Sequence, residues 1–306
     1  MDRDVLEDRY GEPPSEFVEL DGSQGLRVHV RDEGEGPLLL LLHGAGSSLH
    51  TWDSWVRQLA WGYRVVRVDL PPFGLTGPHP EGRYDPEAYL EVVEGVVDAL
   101  QLEDPVVVGN SLGGYVAARY AAEHSDATRA AVLLAPAGYP QNLPGLLRVL
   151  GIRGLGRTFT WLTPRWTVDR MVRRAYADSE RVPSAVVDRH HELIRAPGGR
   201  EGMREVVHVM DELRQEEPEW VSEVDVPTLL VWGQDDDFVP AELVEDWEAD
   251  LPTVESALLP GVGHVPMEEA PTRSLAILKP FLARHGVRPQ WRPVSEGVPG
   301  PGTTRR

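Results

Sequence analysis

The sequence predicts an α/β protein: a mostly parallel central sheet with helices on both faces, interrupted by an inserted helical lid. Three observations predict it. Several strand-like stretches are continuous aliphatic runs, as in Leu38-Leu39-Leu40-Leu41-Leu42, which suits strands buried on both faces. These runs alternate regularly with helix-like stretches, the pattern of a right-handed βαβ series. Midway, the alternation gives way to an Arg- and Leu-rich block with helical periodicity and no strand pattern.

Taken in order, residues 1–15 are polar and proline-bearing and are expected to form a loose N-terminal arm. Residues 16–139 form the first part of the core, with strands expected over 17–20, 26–30, 38–42, 63–69, 106–108 and 130–134. Helices are expected between them over 51–59, 86–100 and 112–124. Residues 140–217 are the inserted block, its helical periodicity broken by Pro144, Pro164, Pro183 and Pro197, and expected to lie as a lid over the mouth of the sheet. Residues 218–286 resume the core: a strand over 228–232, a helix near 241–250, a strand near 255–259 and a helix over 271–285. The proline-bearing residues 287–306 are expected to be a disordered tail.

Composition narrows the function classes. At 306 residues the chain can bury a substantial core. Its 30 basic and 49 acidic residues leave a net charge of −19, which opposes nucleic acid and anionic membrane surfaces as partners. The absence of cysteine removes disulfides, thiolate metal sites and a cysteine nucleophile. The opening Met1-Asp2-Arg3-Asp4 lacks a basic start and apolar stretch, and the longest aliphatic run is too short for a bilayer. A cytoplasmic enzyme without membrane insertion is expected.

The chemistry-bearing residues lie at strand ends. Gly109-Asn110-Ser111-Leu112-Gly113-Gly114 follows one aliphatic strand and opens a helix. The spacing Gly-x-Ser-x-Gly places a serine on a sharp strand-to-helix turn whose crowding leaves no room for flanking side chains. Ser111 is the candidate nucleophile. His43-Gly44-Ala45-Gly46 follows the strand over 38–42, and a tetrahedral intermediate needs two N–H donors aimed at its oxyanion. The backbone N–H groups of Ala45 and Leu112 are expected to supply them, with Gly44 and Asn110 lining the substrate and His43 bracing the loop. Two further loops follow strands: Gly233-Gln234-Asp235-Asp236-Asp237 and Gly261-Val262-Gly263-His264. An imidazole must take the serine proton and a carboxylate must hold its tautomer, so His264 is the candidate base and one of the three aspartates its partner. His190, His191 and His208 lie in the inserted block and are expected to pack or be solvated. No Cys or Asp/Glu cluster accompanies the histidines, so neither a metal nor another cofactor is expected.

With these residues and the further segments Asp69-Leu70-Pro71-Pro72-Phe73-Gly74 and Gly263-His264-Val265-Pro266-Met267-Glu268, the chain resembles the α/β-hydrolase superfamily over roughly 17–286. The resemblance implies that fold and a serine hydrolase. Its usual Gly-x-x-Asp turn points to Asp236 as the acid over Asp235 or Asp237. Gly109-Asn110-Ser111 with the following glycine pair is similar to the meta-cleavage-product hydrolases, which cut carbon–carbon bonds, and Arg189 in Asp188-Arg189-His190 could supply the arginine that they use. That group usually carries tryptophan where this chain has Val265. On that departure the expected activity is a carboxylesterase acting on small to medium esters through an acyl-enzyme, with carbon–carbon hydrolysis of vinylogous diketones as the alternative. A ligand-binding protein on a retired hydrolase fold is the remote alternative, since such proteins usually lack a triad member and none is missing here.

Overall fold

A computed structural model describes residues 1–20, 25–141, 164–213, 215 and 217–290. The chain opens on helix α1 (Arg3–Tyr10), capped by the Asp2 side chain, which accepts from the Asp4 N–H. Strands β1 (Ser15–Glu19) and β2 (Arg27–Glu33) form an antiparallel pair, and β2 joins β4 (Arg64–Val68) antiparallel. From there the sheet is parallel through β3 (Leu38–Leu42), β5 (Val106–Asn110), β6 (Ala130–Leu134), β7 (Thr228–Gly233) and β8 (Val254–Leu259), in the order β1-β2-β4-β3-β5-β6-β7-β8.

The continuous aliphatic runs are explained by the pleat, which turns successive side chains to opposite faces. Leu38, Leu40 and Leu42 of β3 join one core cluster, whereas Leu39 and Leu41 join the other. The same split divides Val107 from Val106 and Val108 in β5, and Leu230 and Trp232 from Leu229 and Val231 in β7. Helices α3 (Pro86–Ala99) and α4 (Leu112–Glu123) cover the first face through residues such as Val93, Val96, Val116 and Ala117. Helix α2 (Asp53–Leu59) covers the second through Trp55, Val56 and Leu59.

The inserted block between β6 and β7 contains helices α5 (Arg165–Arg174), α6 (Ser184–Leu193) and α7 (Gly199–Leu213) among the described residues. Val172, Tyr176, Val182 and Val187 form a small core of its own. The chain then continues through α8 (Val244–Asp250), the four-residue α9 (Pro266–Glu269) and α10 (Pro271–Arg284), whose Leu278 and Phe281 complete the second face. No helix among the described residues is long and apolar enough to cross a membrane.

Two expectations need correction or qualification. The N-terminal segment is not a loose arm: Leu6 is buried against Leu75 and Leu193, and Glu192 of α6 accepts from Arg9 at 2.7 and 2.8 Å and from Tyr10 at 2.8 Å. Burial and that carboxylate push the Tyr10 phenol up to about 12, so it stays a donor. The disordered tail expected over 287–306 lies outside the described residues from 291 onward; before that, Val287 is buried and the Gln290 N–H donates to Gly62 O at 2.9 Å.

Candidate active site

Four loops converge on the carboxyl edge of the parallel strands, where open α/β sheets place their ligands. They follow β3, β5, β7 and β8, and carry the Ala45 loop, Ser111, Asp236 and His264 respectively.

Ser111 is the residue between β5 and α4, with φ 54° and ψ −117°. That left-handed backbone is costly for a residue with a side chain and is held by its surroundings: the Ser111 N–H donates to Leu134 O at 3.0 Å and its carbonyl accepts from Ala137 N at 3.1 Å. The glycines beside it are demanded by crowding. A Cβ on Gly109 would stand 2.0 Å from Gly113 O, and one on Gly113 would stand 2.3 Å from Leu42 O. Leu112 opens α4, so its N–H belongs to the helix's first turn, which has no intrahelical acceptor.

The loop over 43–46 lies directly over this turn. A Cβ on Gly44 would stand 3.1 Å from both Ser111 Cβ and Asn110 Oδ1, so a side chain there would crowd the serine. His43 braces the loop: Nδ1 donates to Gly44 O at 2.8 Å, and Nε2 accepts from the Leu70 N–H at 3.0 Å. Burial pushes its pKa down, which keeps it neutral in that tautomer. Ala45 is half-buried, and next to it a Cβ on Gly46 would meet Met203 Cε of α7 at 3.5 Å, which puts the inserted block over the loop.

His264 Nδ1 donates to Asp236 Oδ2 at 2.7 Å. The Asp236 side chain is fully buried, and its other oxygen accepts from Phe238 N at 2.7 Å and Val239 N at 2.9 Å. Neither neighbour shares this arrangement: the Asp235 N–H donates to Val262 O, and Asp237 is an exposed partner of Arg174 at 3.4 Å. Asn110, expected to line the substrate, spends both amide N–H donors on the protein. It donates to Leu134 O and to His264 O, each at 3.0 Å, and thereby ties the serine turn to the histidine turn.

Arg189, on α6, lacks the local acids that would engage a solvent-facing arginine. Asp188 pairs with Arg165 at 2.7 Å, and Glu192 is taken by Arg9 and Tyr10. Arg189 Nε is a buried donor without a hydrogen-bond partner among the described residues. Its charge lies near enough to Tyr10, His50, Tyr176 and His190 to exert a lowering pull on the pKa of each. Of the histidines of the block, His190 donates from Nδ1 to Val186 O at 2.8 Å, and His208 lies 3.4 Å from Glu212. Among the described residues, no group of three or more His, Asp or Glu side chains is arranged to hold a metal ion.

One buried hub escaped the sequence reading. Asp69 accepts from His29 Nδ1 at 2.6 Å, Leu49 N at 2.7 Å and Leu75 N at 2.8 Å, and so ties the segment that follows the loop over 43–46 to β2 and to the turn after β4. Its only sequence signal was the segment Asp69–Gly74; the partner His29 lies in β2, 40 residues away. Burial alone would push the Asp69 carboxyl up, but His29 and the neighbouring His43 and His50 outweigh it and hold it well below the usual carboxylate range. A carboxyl depressed in the folded state contributes stability that is present above its unfolded pKa and lost as pH falls through the folded value. Unfolding free energy from urea titrations is therefore expected to decline below about pH 4 in the parent. Asp69→Ala is expected to cost about 3–5 kcal/mol at neutral pH, because it strands buried donors, and to flatten that decline.

The family model described as the alpha/beta hydrolase family matches residues 39–277. A 2-hydroxy-6-oxo-6-phenylhexa-2,4-dienoate hydrolase of Burkholderia cepacia is 26% identical over 257 residues, covering 82% of this chain and 90% of that protein. A 2-hydroxy-6-oxononadienedioate/2-hydroxy-6-oxononatrienedioate hydrolase of Paraburkholderia phymatum is 30% identical over 284 residues, covering 87% and 94%. Among solved structures, a meta-cleavage product hydrolase of Pseudomonas fluorescens IP01 superposes with a TM-score of 0.75 at 21% identity, covering 88% of this chain and 98% of that one. An esterase of Thermogutta terrifontis, at 23% identity and a TM-score of 0.74, likewise shares the fold alone. These relatives overturn the expected carboxylesterase, since they are named as hydrolases of 2-hydroxy-6-oxo dienoates and related dioates and not as esterases. Matched over more than two thirds of its length by that model, the chain belongs to the alpha/beta hydrolase family.

Proposed function

We propose that the chain hydrolyses a carbon–carbon bond in vinylogous diketones of the 2-hydroxy-6-oxo-dienoate class. The observation that carries this reading is the similarity to hydrolases of such substrates over most of the chain. The unpartnered buried Nε of Arg189 supports it, because these substrates carry a carboxylate beside an enol oxygen and a neutral ester does not. A guanidinium meets such a pair of oxygens with two parallel hydrogen bonds.

In this reading residues 140–217 act as a cap, 16–139 and 218–286 as the core, and the site works as follows. The bound dienol shifts its enol proton to the carbon next to the distal ketone, giving a conjugated 2-oxo acid held by Arg189. His264 Nε2 takes the Ser111 proton as Oγ adds to the distal carbonyl, and the N–H groups of Ala45 and Leu112 receive the oxyanion. Collapse breaks the bond to the adjacent carbon, whose electron pair spreads through the alkene into the 2-oxo group as a dienolate. The imidazolium returns the proton to that dienolate, which leaves as a 2-hydroxydienoate. Water, deprotonated by His264, then releases the second acid from Ser111. Asp236 holds Nδ1 throughout and stabilises the imidazolium.

Arg189 provides the test. Arg189→Ala is expected to lower kcat/KM on a ring-fission dienoate about ten- to a hundredfold, the value of a charge-assisted bidentate contact. Hydrolysis of a neutral ester with the same acyl group should stay within about threefold, as it uses no such charge. Equal losses on both substrates, or none on the dienoate, would remove Arg189 from the proposed role.

A further inference from the structure

The turn that carries His264 is tied to the cap as closely as to the sheet. The His264 N–H donates to Ala175 O at 2.7 Å. The N–H of Gly263 donates to Glu269 Oε2 at 2.7 Å, and the same carboxylate accepts from Ala177 N at 3.2 Å and Asp178 N at 3.3 Å. The two segments touch so closely that a Cβ on Gly263 would stand 2.6 Å from Ala175 O and 2.7 Å from Ala177 N. Val265 continues the contact with its side chain, since it packs against the core cluster on one side and the cap cluster on the other.

The neighbouring acid extends the connection. Glu268 accepts from the Tyr176 hydroxyl at 2.7 Å and from the Thr51 hydroxyl, in the 3₁₀ turn Leu49–Trp52 that follows the oxyanion loop. Two adjacent carboxylates on α9 thus join the cap turn over 175–178, the histidine turn and the segment behind the oxyanion loop. Backbone N–H groups outside helix and strand need acceptors when shielded from water, and a carboxylate with two oxygens can serve three of them at once.

We propose that Glu269 is a positioning residue for His264: its carboxylate fixes the turn that aims the imidazole at Ser111 and makes that aim depend on the cap turn being seated. The proposal rests on reading Ser111, Asp236 and His264 as the catalytic triad. Asp236 holds the far nitrogen of the ring and Asn110 holds the His264 carbonyl, whereas the amide side of the turn is held only by cap residues and Glu269 among the described residues. Lifting the cap turn removes the acceptor for the His264 N–H and two of the three donors to Glu269 together. Ser111 is then activated only beneath a seated cap, which keeps the acyl-forming step away from open solvent.

The test uses the full chain and a small fluorophosphonate, which reacts with a serine activated by its histidine and carries no carboxylate for Arg189. Second-order labelling rates are measured across pH, below the melting temperature of each variant, beside thermal unfolding. Glu269→Ala is expected to label about ten- to a hundredfold more slowly, the effect of a misplaced base, with the acid limb of its pH profile displaced. Glu269→Gln should stay within about threefold of the parent, because its amide oxygen still accepts from Gly263 and Ala177. Should Glu269→Ala fail to fold, Glu269→Asp, which withdraws the carboxylate by one methylene, is expected to show the same slow labelling. A folded Glu269→Ala that melts lower yet labels at the parental rate and pH profile would overturn the proposal and leave Glu269 a stabilising residue. A parent chain that does not label at Ser111 would instead fail the triad reading, and the proposal with it.

Discussion

Ser111→Ala is expected to lower turnover by about four to six orders of magnitude while leaving the fold intact. The backbone at this position already sits at φ 54°, and alanine has the same Cβ, so the strained turn and its bonds to Leu134 and Ala137 are unchanged. What disappears is the hydroxyl proposed to attack the carbonyl. The N–H groups of Ala45 and Leu112, proposed as oxyanion donors, remain, so the residual rate is expected to stay above that of the reaction in water. Turnover and a melting curve measured on the same preparation check the expectation. A variant retaining a tenth of parental activity would show that Ser111 is not the nucleophile.

Asp236→Asn is expected to cost about four orders of magnitude, although it replaces one atom. The geometry says why. Asp236 Oδ1 accepts from the Phe238 and Val239 N–H groups, so in the variant the amide oxygen takes that place and the NH₂ faces His264 Nδ1. Nδ1 must then accept, the ring proton moves to Nε2, and the nitrogen that should take the serine proton is already protonated. Asp235→Asn and Asp237→Asn should each change turnover by less than about tenfold, since neither side chain meets His264. A larger loss at either of them than at Asp236 would mean that the acid has been assigned to the wrong residue of the turn.

Much of the sheet was legible because its parallel strands are buried on both faces. The expected range 38–42 coincides with β3 and 130–134 with β6, and the strand before Ser111 needed only to be lengthened to Asn110. Boundaries were less legible where helices begin with a 3₁₀ turn: the helix expected over 51–59 is Leu49–Trp52 followed by Asp53–Leu59. Helix α1 was missed for a different reason. It buries a single side chain, Leu6, so it has no apolar periodicity, and its order comes from Leu75, Leu193 and Glu192, far away in sequence.

The site followed the same division. Ser111, His264 and Asp236 could be singled out as candidates because each follows a strand in a loop with glycines, and strand ends are where this architecture displays chemistry. The tie that Asn110 makes between the two turns was not legible, because a polar residue beside a candidate nucleophile looks substrate-facing until its amide is seen holding two backbone carbonyls. Val265 misled most. A missing tryptophan favoured ester hydrolysis, yet the valine packs between the core and the cap cluster. Glu269 carried no signal at all, because its partners are backbone N–H groups and no sequence pattern marks those.

The most direct test of the proposed function is a side-by-side measurement of kcat/KM for the purified chain on a 2-hydroxy-6-oxo-dienoate and on p-nitrophenyl esters of graded acyl length. The dienoate is followed by loss of its chromophore and by appearance of the two acid products. A dienoate value at least about a hundredfold above that for the best ester is expected, because the ester engages the oxyanion donors and Ser111 but leaves the Arg189 charge unused. Rapid ester turnover with the dienoate chromophore unchanged would contradict carbon–carbon hydrolysis.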